Sequence, residues 1–214
     1  AEARARGVRV TVETCPHYLQ LDETALFEHG PWAKCNPPLR SAATVKRLWE
    51  ELRAGRVDVI GTDHCPYRPE EIAAGQEDIF TSPPGLPGLE TMLPILLTAA
   101  HDGHITLPDV VRLTSTRAAE IFDLPAKGRI APGADADLVL VDTASGWTFR
   151  PEGFSKAAPN ATFLTGTRFT GRVVTTFSRG RRVFDDGRIV GIPGHGRFVR
   201  PDPARTAARR ATTG

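Results

Sequence analysis

No apolar run in this chain approaches the roughly 18 residues that a membrane-spanning helix requires, and no basic, apolar and small-residue succession marks a signal peptide. The sequence gives no reason to place it in a membrane. Charge of one sign is lacking too: the formal net charge is +2, too small to imply nucleic acid or an anionic lipid surface as partner. Cysteine is scarce. Cys15, Cys35 and Cys65 form an odd set without paired spacing, which argues against a disulfide framework and suits reduced thiols, so a cytoplasmic protein is expected. With 40% hydrophobic and 24% charged residues, the composition is that of an ordinary soluble protein able to bury a core.

What the chain does have is an acid at the end of an apolar strand. The run Val57-Asp58-Val59-Ile60-Gly61-Thr62-Asp63-His64-Cys65-Pro66 has period two. It puts Val57, Val59, Gly61 and Asp63 on one face and Asp58, Ile60, Thr62 and His64 on the other. In a parallel α/β barrel the inward face is packed with branched side chains, and catalytic groups project from the C-terminal strand ends. Asp63 fits that position. The plainer alternative is an Asp that caps a turn before a proline-rich loop.

The organisation around this strand follows from periodicity. Residues 1–7 read as the end of a helix with Gly7 as its stop, and residues 8–13 as a strand. Residues 31–40 read as loop, since Pro37 and Pro38 supply no backbone donors. A helix then begins near Ser41, with Val45, Leu48, Trp49 and Leu52 at helical spacing and Gly55 as its end. It feeds directly into the strand at 57–62, and helix then strand is the repeating unit of a parallel α/β fold. Only two barrel-type strands are visible, whereas a closed barrel needs eight and typically about 250 residues. The sequence therefore predicts the C-terminal part of a longer protein.

Residues 66–88, rich in proline and glycine, read as a long loop of the kind that forms a lid at the catalytic end of a barrel. Residues 89–100 are strongly apolar and predicted helical, with Pro94 bending the helix or lying near its start. Thr106 can cap the next helix with Pro108 in its first turn, and Thr114 or Ser115 another that runs to Phe122. From Gly128 the pattern changes to short strands and turns. Residues 137–142 alternate, and 173–177 with 182–184 form a hairpin across 178–181.

Five ordered motifs carry a family resemblance. They are Val8-Arg9-Val10-Thr11-Val12-Glu13-Thr14-Cys15-Pro16-His17-Tyr18-Leu19, Lys34-Cys35-Asn36-Pro37-Pro38-Leu39-Arg40, the Asp63 strand, Gly85-Leu86-Pro87-Gly88-Leu89-Glu90, and Lys127-Gly128-Arg129-Ile130-Ala131-Pro132-Gly133-Ala134-Asp135-Ala136-Asp137-Leu138-Val139. Together they resemble the cyclic-amide branch of the amidohydrolases, the dihydroorotases, allantoinases and dihydropyrimidinases or hydantoinases, over roughly residues 8–200.

The resemblance implies the C-terminal part of a (β/α)8 TIM-type barrel over residues 1–127 and a β-sandwich segment over 128–200, followed by a disordered basic tail at 201–214. It also implies two divalent metal ions, usually zinc, whose ligands lie mostly before residue 1. Asp63 matches the eighth-strand ligand and the residue that relays the proton between attacking water and leaving nitrogen. Asn36 and the loop glycines Gly85 and Gly88 match substrate contacts. His17 is expected beside the site without ligating, since hydantoinases commonly carry Gln there. A zinc reading of Cys15, His17, His64 and Cys65 is set aside on that ground, and because period two turns His64 away from Asp63. The partner is a small cyclic amide, with neither nucleic acid nor membrane, and the full-length protein is expected to be a homo-oligomer, dimer or tetramer.

The ring itself is left open. Tyr67 stands where dihydroorotases show His, while Asn36, residues 155–157 and residues 194–198 favour them; the allantoinase Trp-Gly-Gly segment is missing. A metal-free dihydropyrimidinase-related assembly protein is the alternative from another class, and retention of Asp63 argues against it.

Overall fold

The computed structural model describes residues 2–151 and 160–204; residues 155–157 and the tail beyond 204 lie outside it. At its centre two strands run parallel, β1 (Glu13–Thr14) and β2 (Val59–Ile60), with Glu13 opposite Val59 and Thr14 opposite Ile60. Both are shorter than the alternation predicts. Flanking amides extend the ladder: Asp58 donates to Val12 O at 2.9 Å and Gly61 to Thr14 O at 3.0 Å. Among the described residues no strand pairs with the other edge of β1. Val8, Val10 and Val12 leading into it are therefore 49%, 42% and 40% exposed.

Asp58 shows the outward face of β2. It accepts the Val12 amide at 2.7 Å and pairs with Arg4 and with Arg117 at 3.3 Å. Burial opposes its charge, but that amide and the two arginines outweigh it and hold the carboxyl below its usual range. One side chain thus ties the strand pair to α1 (Glu2–Ala5) and α8 (Arg117–Ile121).

Helices pack around the strand pair. Leu19 from α2 (Pro16–Gln20) and Leu48, Trp49 and Leu52 from α4 (Ala42–Arg53) pack with Val57, Ile60, Leu96 and Leu113. Trp49 Nε1 also donates to Leu19 O at 3.0 Å, and Gly55, at φ 71°, releases the chain into β2. The short α3 (Thr24–His29) connects these two helices. In α6 (Met92–His101) Pro94 sits in the first turn, where its missing N–H costs nothing. Thr106 caps α7 (Leu107–Val111) by accepting the Asp109 amide, as its sequence predicts.

Two expectations need correction. Thr114 and Ser115 cap no new helix, because α7 continues through a π-helical turn at Arg112–Thr116 into α8. Thr114 Oγ1 donates back to Val110 O at 2.7 Å and Thr116 Oγ1 donates to Gly128 O at 2.8 Å, so these hydroxyls serve an uninterrupted helix and its exit. Residues 66–88 are also less irregular than their composition suggests: α5 (Pro69–Ala73) starts on Pro69, and Glu71 turns back to accept the Arg68 amide at 2.8 Å.

The C-terminal part is a four-stranded antiparallel sheet in the order β3 (Leu138–Thr148), β4 (Arg168–Ser178), β5 (Arg181–Asp185), β6 (Arg188–Ile189). The expected hairpin is present, turning at Arg179 and Gly180. A sandwich requires two facing sheets, and among the described residues there is one here. The sheet does not stand apart from the helices and parallel strands: Phe149, Phe163, Leu164 and Phe169 share a core with Ala33, Cys35, Leu86 and Ile95.

The sheet comes close to α6 at Gly171, whose φ is 93° and where a Cβ would lie 2.8 Å from Leu97 Cβ. Beside it, Thr98 Oγ1 accepts the Thr170 amide at 2.9 Å. Gly171→Ala therefore adds both backbone strain and overlap. We expect it to cost about 2 to 4 kcal/mol in urea-unfolding stability; a change under about 0.5 kcal/mol would show that the sheet is not pressed against α6.

Candidate metal and substrate site

Parallel neighbours release their chains at the same end, and this is how the site is assembled. β1 ends at Thr14, and Cys15 and His17 follow at the start of α2; β2 ends at Ile60, and Asp63 follows three residues on. Among the described residues, one ligating atom each of Cys15, His17 and Asp63 lie within 4.8 Å of one another. Cys15 and His17 are buried, at 7% and 6% exposure, and Asp63 is exposed. On the same edge the Glu13 carboxylate lies across Gly61, where a Cβ would stand 2.7 Å from its Oε1.

Asp63 has φ 45°, a left-handed conformation in which Asp is tolerated better than most residues. Strain of this kind persists only where the surroundings over-determine it, and it gathers at functional sites. Here the backbone on both sides is held. Gly61 donates to Thr14, and Cys65 donates to Leu86 O at 3.0 Å while His64 bridges Leu86 in parallel.

Burial sets the protonation of the two neighbours. It lowers His17 to about 4, against the opposing pull of Asp63, so the imidazole is neutral near pH 7. It raises Cys15 to about 12, helped by the negative charges of Asp63 and Glu13. Burial likewise raises Cys35 and Tyr18. His17 Nε2 is buried without a hydrogen-bond partner, and such a nitrogen costs about 1 to 3 kcal/mol unless something binds it. A neutral imidazole, a thiol and a carboxylate converging on one point are donors of the type that hold a divalent transition metal, so these residues fit such an ion.

Cys15 and His17, set aside as ligand candidates, stand beside Asp63, while His64 and Cys65 stand apart. His64 Nδ1 accepts the amides of Gly88 at 3.0 Å and Leu89 at 3.3 Å, and Cys65 Sγ lies 3.5 Å from Tyr67 OH.

The other candidates lie on an adjoining surface. Asn36 is exposed in an open depression of about 620 Å³, with Lys34, Tyr67, Glu71 and Phe80 among its walls. Cys15, His17 and Asp63 are not among the walls of that depression. Gly85 joins the two regions: its amide donates to Lys34 O at 3.0 Å, and a Cβ there would stand 2.6 Å from Cys65 O and 2.8 Å from the Tyr67 ring. A Cβ on Gly88 would stand 2.6 Å from Thr62 O. Both glycines thus let this loop lie against the residues flanking Asp63. Their amides already have partners in the fold, so they are not free donors for a ligand.

One structural role escaped the sequence. Lys34 Nζ donates to Ile79 O at 2.6 Å and Ser82 O at 2.5 Å, strapping the 66–88 segment across the depression.

Parallel strands served by alternating helices, with side chains able to hold a metal ion after their C-terminal ends, define an α/β architecture with a candidate metal site. Residues 2–183 match the amidohydrolase family, and the chain belongs to it. It is 43% identical over 202 residues to an allantoinase of Rubrobacter xylanophilus, covering 94% of this chain and 44% of that protein. To a dihydroorotase of Methanothermobacter thermautotrophicus it is 39% identical over 190 residues, 89% of this chain and 42% of that one. The structure superposes on L-hydantoinase (dihydropyrimidinase) from Arthrobacter aurescens with TM-score 0.88 at 32% identity, covering 93% of this chain and 44% of that one. These structural neighbours are TIM-barrel amidohydrolases, and the chain spans less than half the length of each relative.

Proposed function

We propose that this chain is the C-terminal portion of a metal-dependent hydrolase that opens a cyclic amide by cleaving a carbon–nitrogen bond. The observation that carries this reading is the strained Asp63 carboxylate at the open end of a parallel strand pair, close to two further donors. Relatives named allantoinase, dihydroorotase and D-phenylhydantoinase support the substrate class.

Asp63 would hold the metal from this chain, with the remaining ligands of a two-ion, zinc-type centre supplied by the preceding part of the barrel. Such ions supply Lewis-acid activation, polarising the ring carbonyl and making water a competent nucleophile at neutral pH. The residues of this chain do the rest. Asp63 accepts the proton of the attacking water and returns it to the departing nitrogen, a relay that needs a base whose carboxylate reaches both. Neutral His17 and protonated Cys15 wall the acid on its buried side. Asn36 would contact the polar edge of the substrate from the depression, and Gly85 and Gly88 shape the loop that brings the two surfaces together.

The β3–β6 sheet would form one layer of a β-sandwich, completed by preceding residues that cover Val139 and Leu140, exposed at 48% and 54%. The boundary near residue 127 and the homo-oligomer belong to the same reading. The three free cysteines accord with a reducing, cytoplasmic setting.

The experiment is a side-by-side assay of the full-length, metal-loaded protein on dihydroorotate, allantoin, hydantoin and dihydrouracil. Ring opening of at least one is expected, with removal of the metal by a chelator abolishing it. Four inert rings from a folded, metal-loaded protein would overturn the proposal.

A further inference from the structure

We infer that Phe80 is a specificity-determining residue, the aromatic wall against which this chain receives an uncharged, apolar substituent of the substrate ring, and that Lys34 is the positioning residue that holds the wall in place. The inference rests on the cyclic-amide reading and says which rings that site selects. Phe27 and Phe80 are equally exposed, at 87%. A lone exposed phenylalanine on a helix, as Phe27 is, asks for no explanation. Phe80 differs because the turn that carries it (Ile79–Thr81) is fastened throughout. Asp78 Oδ1 accepts the Phe80 amide at 3.0 Å, Thr81 Oγ1 donates to Ala74 O at 2.6 Å, and Gly75 lies so close to Ser82 that a Cβ there would collide with it. Lys34 Nζ closes the set from the opposite side, donating to Ile79 O and Ser82 O. Ordering a surface turn costs conformational entropy, and charge-assisted bonds of this kind offset it. The result is a rigid apolar ring standing in water.

Its place in the chain gives that ring a use. Phe80 and Tyr67 are both walls of the open depression that holds Asn36, and its volume of about 620 Å³ suits a small molecule. Further along the same segment, Leu86 O accepts the Cys65 amide and Gly88 lies against Thr62 O. One continuous stretch therefore runs from the flanks of Asp63 to the Phe80 ring. Tyr67 is held as well, its carbonyl accepting from Asn160 Nδ2.

Charge decides what the wall receives. Two charged side chains line the depression, Lys34 and Glu71, and both are engaged within the fold. The Lys34 ammonium serves the two carbonyls, and Glu71 accepts the Arg68 amide and pairs with its guanidinium at 3.3 Å. An ionic substituent finds no waiting counter-charge here and would have to give up water without return. An aryl or alkyl group instead gains contact with Phe80, Tyr67, Pro83 and Pro84.

Competing rings given to the full-length, metal-loaded protein test it. By kcat/KM, 5-benzylhydantoin is expected to be opened at least as well as hydantoin, and dihydroorotate, which carries a carboxylate, less well than either. Phe80→Ala should lower the ratio of benzylhydantoin to hydantoin at least about tenfold, chiefly through KM, while Phe27→Ala leaves that ratio in place. Lys34→Met should lower it too, with Lys34→Arg restoring most of the loss. Chymotryptic cleavage after Phe80 reads the latch without any turnover, and Lys34→Met should speed it at least about fivefold. A preference for dihydroorotate, or a ratio that Phe80→Ala leaves within about twofold while rings are still opened, overturns the role of Phe80 alone. So does a ratio left in place by Phe80→Ala while light scattering shows a changed subunit number, which would assign the ring to a contact between copies. Cleavage after Phe80 that Lys34→Met does not alter overturns the latch. If no ring is opened, the hydrolase reading fails and takes this inference with it.

Discussion

In the full-length protein, Asp63→Asn is expected to lower kcat for ring opening by at least about 100-fold while leaving the fold in place. Both halves of that expectation have a physical source. Asn is one of the few residues that share Asp's tolerance of the left-handed region, so the φ of 45° at this position survives the change at little cost. The flanking bonds, Gly61 to Thr14 and Cys65 to Leu86, are between backbone groups and are untouched. What the amide loses is the ability to accept a proton and most of its affinity for a cation. Asp63→Ala is the informative contrast, because it removes the base and also places an intolerant residue at positive φ; it should lose stability as well as activity. Metal content measured alongside kcat separates the two duties of the carboxylate. An Asn variant that keeps its metal and its full rate would show that proton transfer does not pass through this residue.

Much of the scaffold was legible because it is written in local patterns. Alternation in residues 57–63, the helical spacing of Val45, Leu48, Trp49 and Leu52, and the Thr106 cap each depend on neighbours a few residues away. The parallel pairing of β1 with β2 followed from helix-then-strand order. What could not be read depends on contacts distant in sequence. The π-helical turn at Arg112–Thr116 includes Thr116, whose hydroxyl donates to Gly128 O, twelve residues on. Lys34 straps carbonyls 45 and 48 residues away. Cys15 and His17 reach Asp63 only because Glu13 sits opposite Val59; a register shifted by one residue would turn the strand's side chains to the other face.

That same register makes stability sensitive to acid through His17. The imidazole is held near 4 in the folded chain by burial, against an ordinary value of 6.5. A depressed folded value means the unfolded chain takes up the proton first as pH falls. Above pH 6.5 neither state is protonated and the full stability is present. Between 6.5 and about 4 the unfolded state binds more protons and stability drains away, by about 2 kcal/mol at pH 5 and about 3 kcal/mol near pH 4. Below that both states are charged and the loss levels off. Carboxylates paired in the fold, such as Asp58, add their own acid sensitivity at lower pH, where they gain protons. His17→Gln isolates the imidazole's share, since Gln is neutral throughout and of similar reach. Urea-unfolding curves of the metal-free chain at pH 7, 6 and 5 should converge: the unsubstituted protein should lose about 2 kcal/mol more than the variant between pH 7 and pH 5. Curves that fall in parallel would mean that His17 is protonated in the folded chain as easily as in the unfolded one, and that its buried, unpartnered Nε2 is open to water.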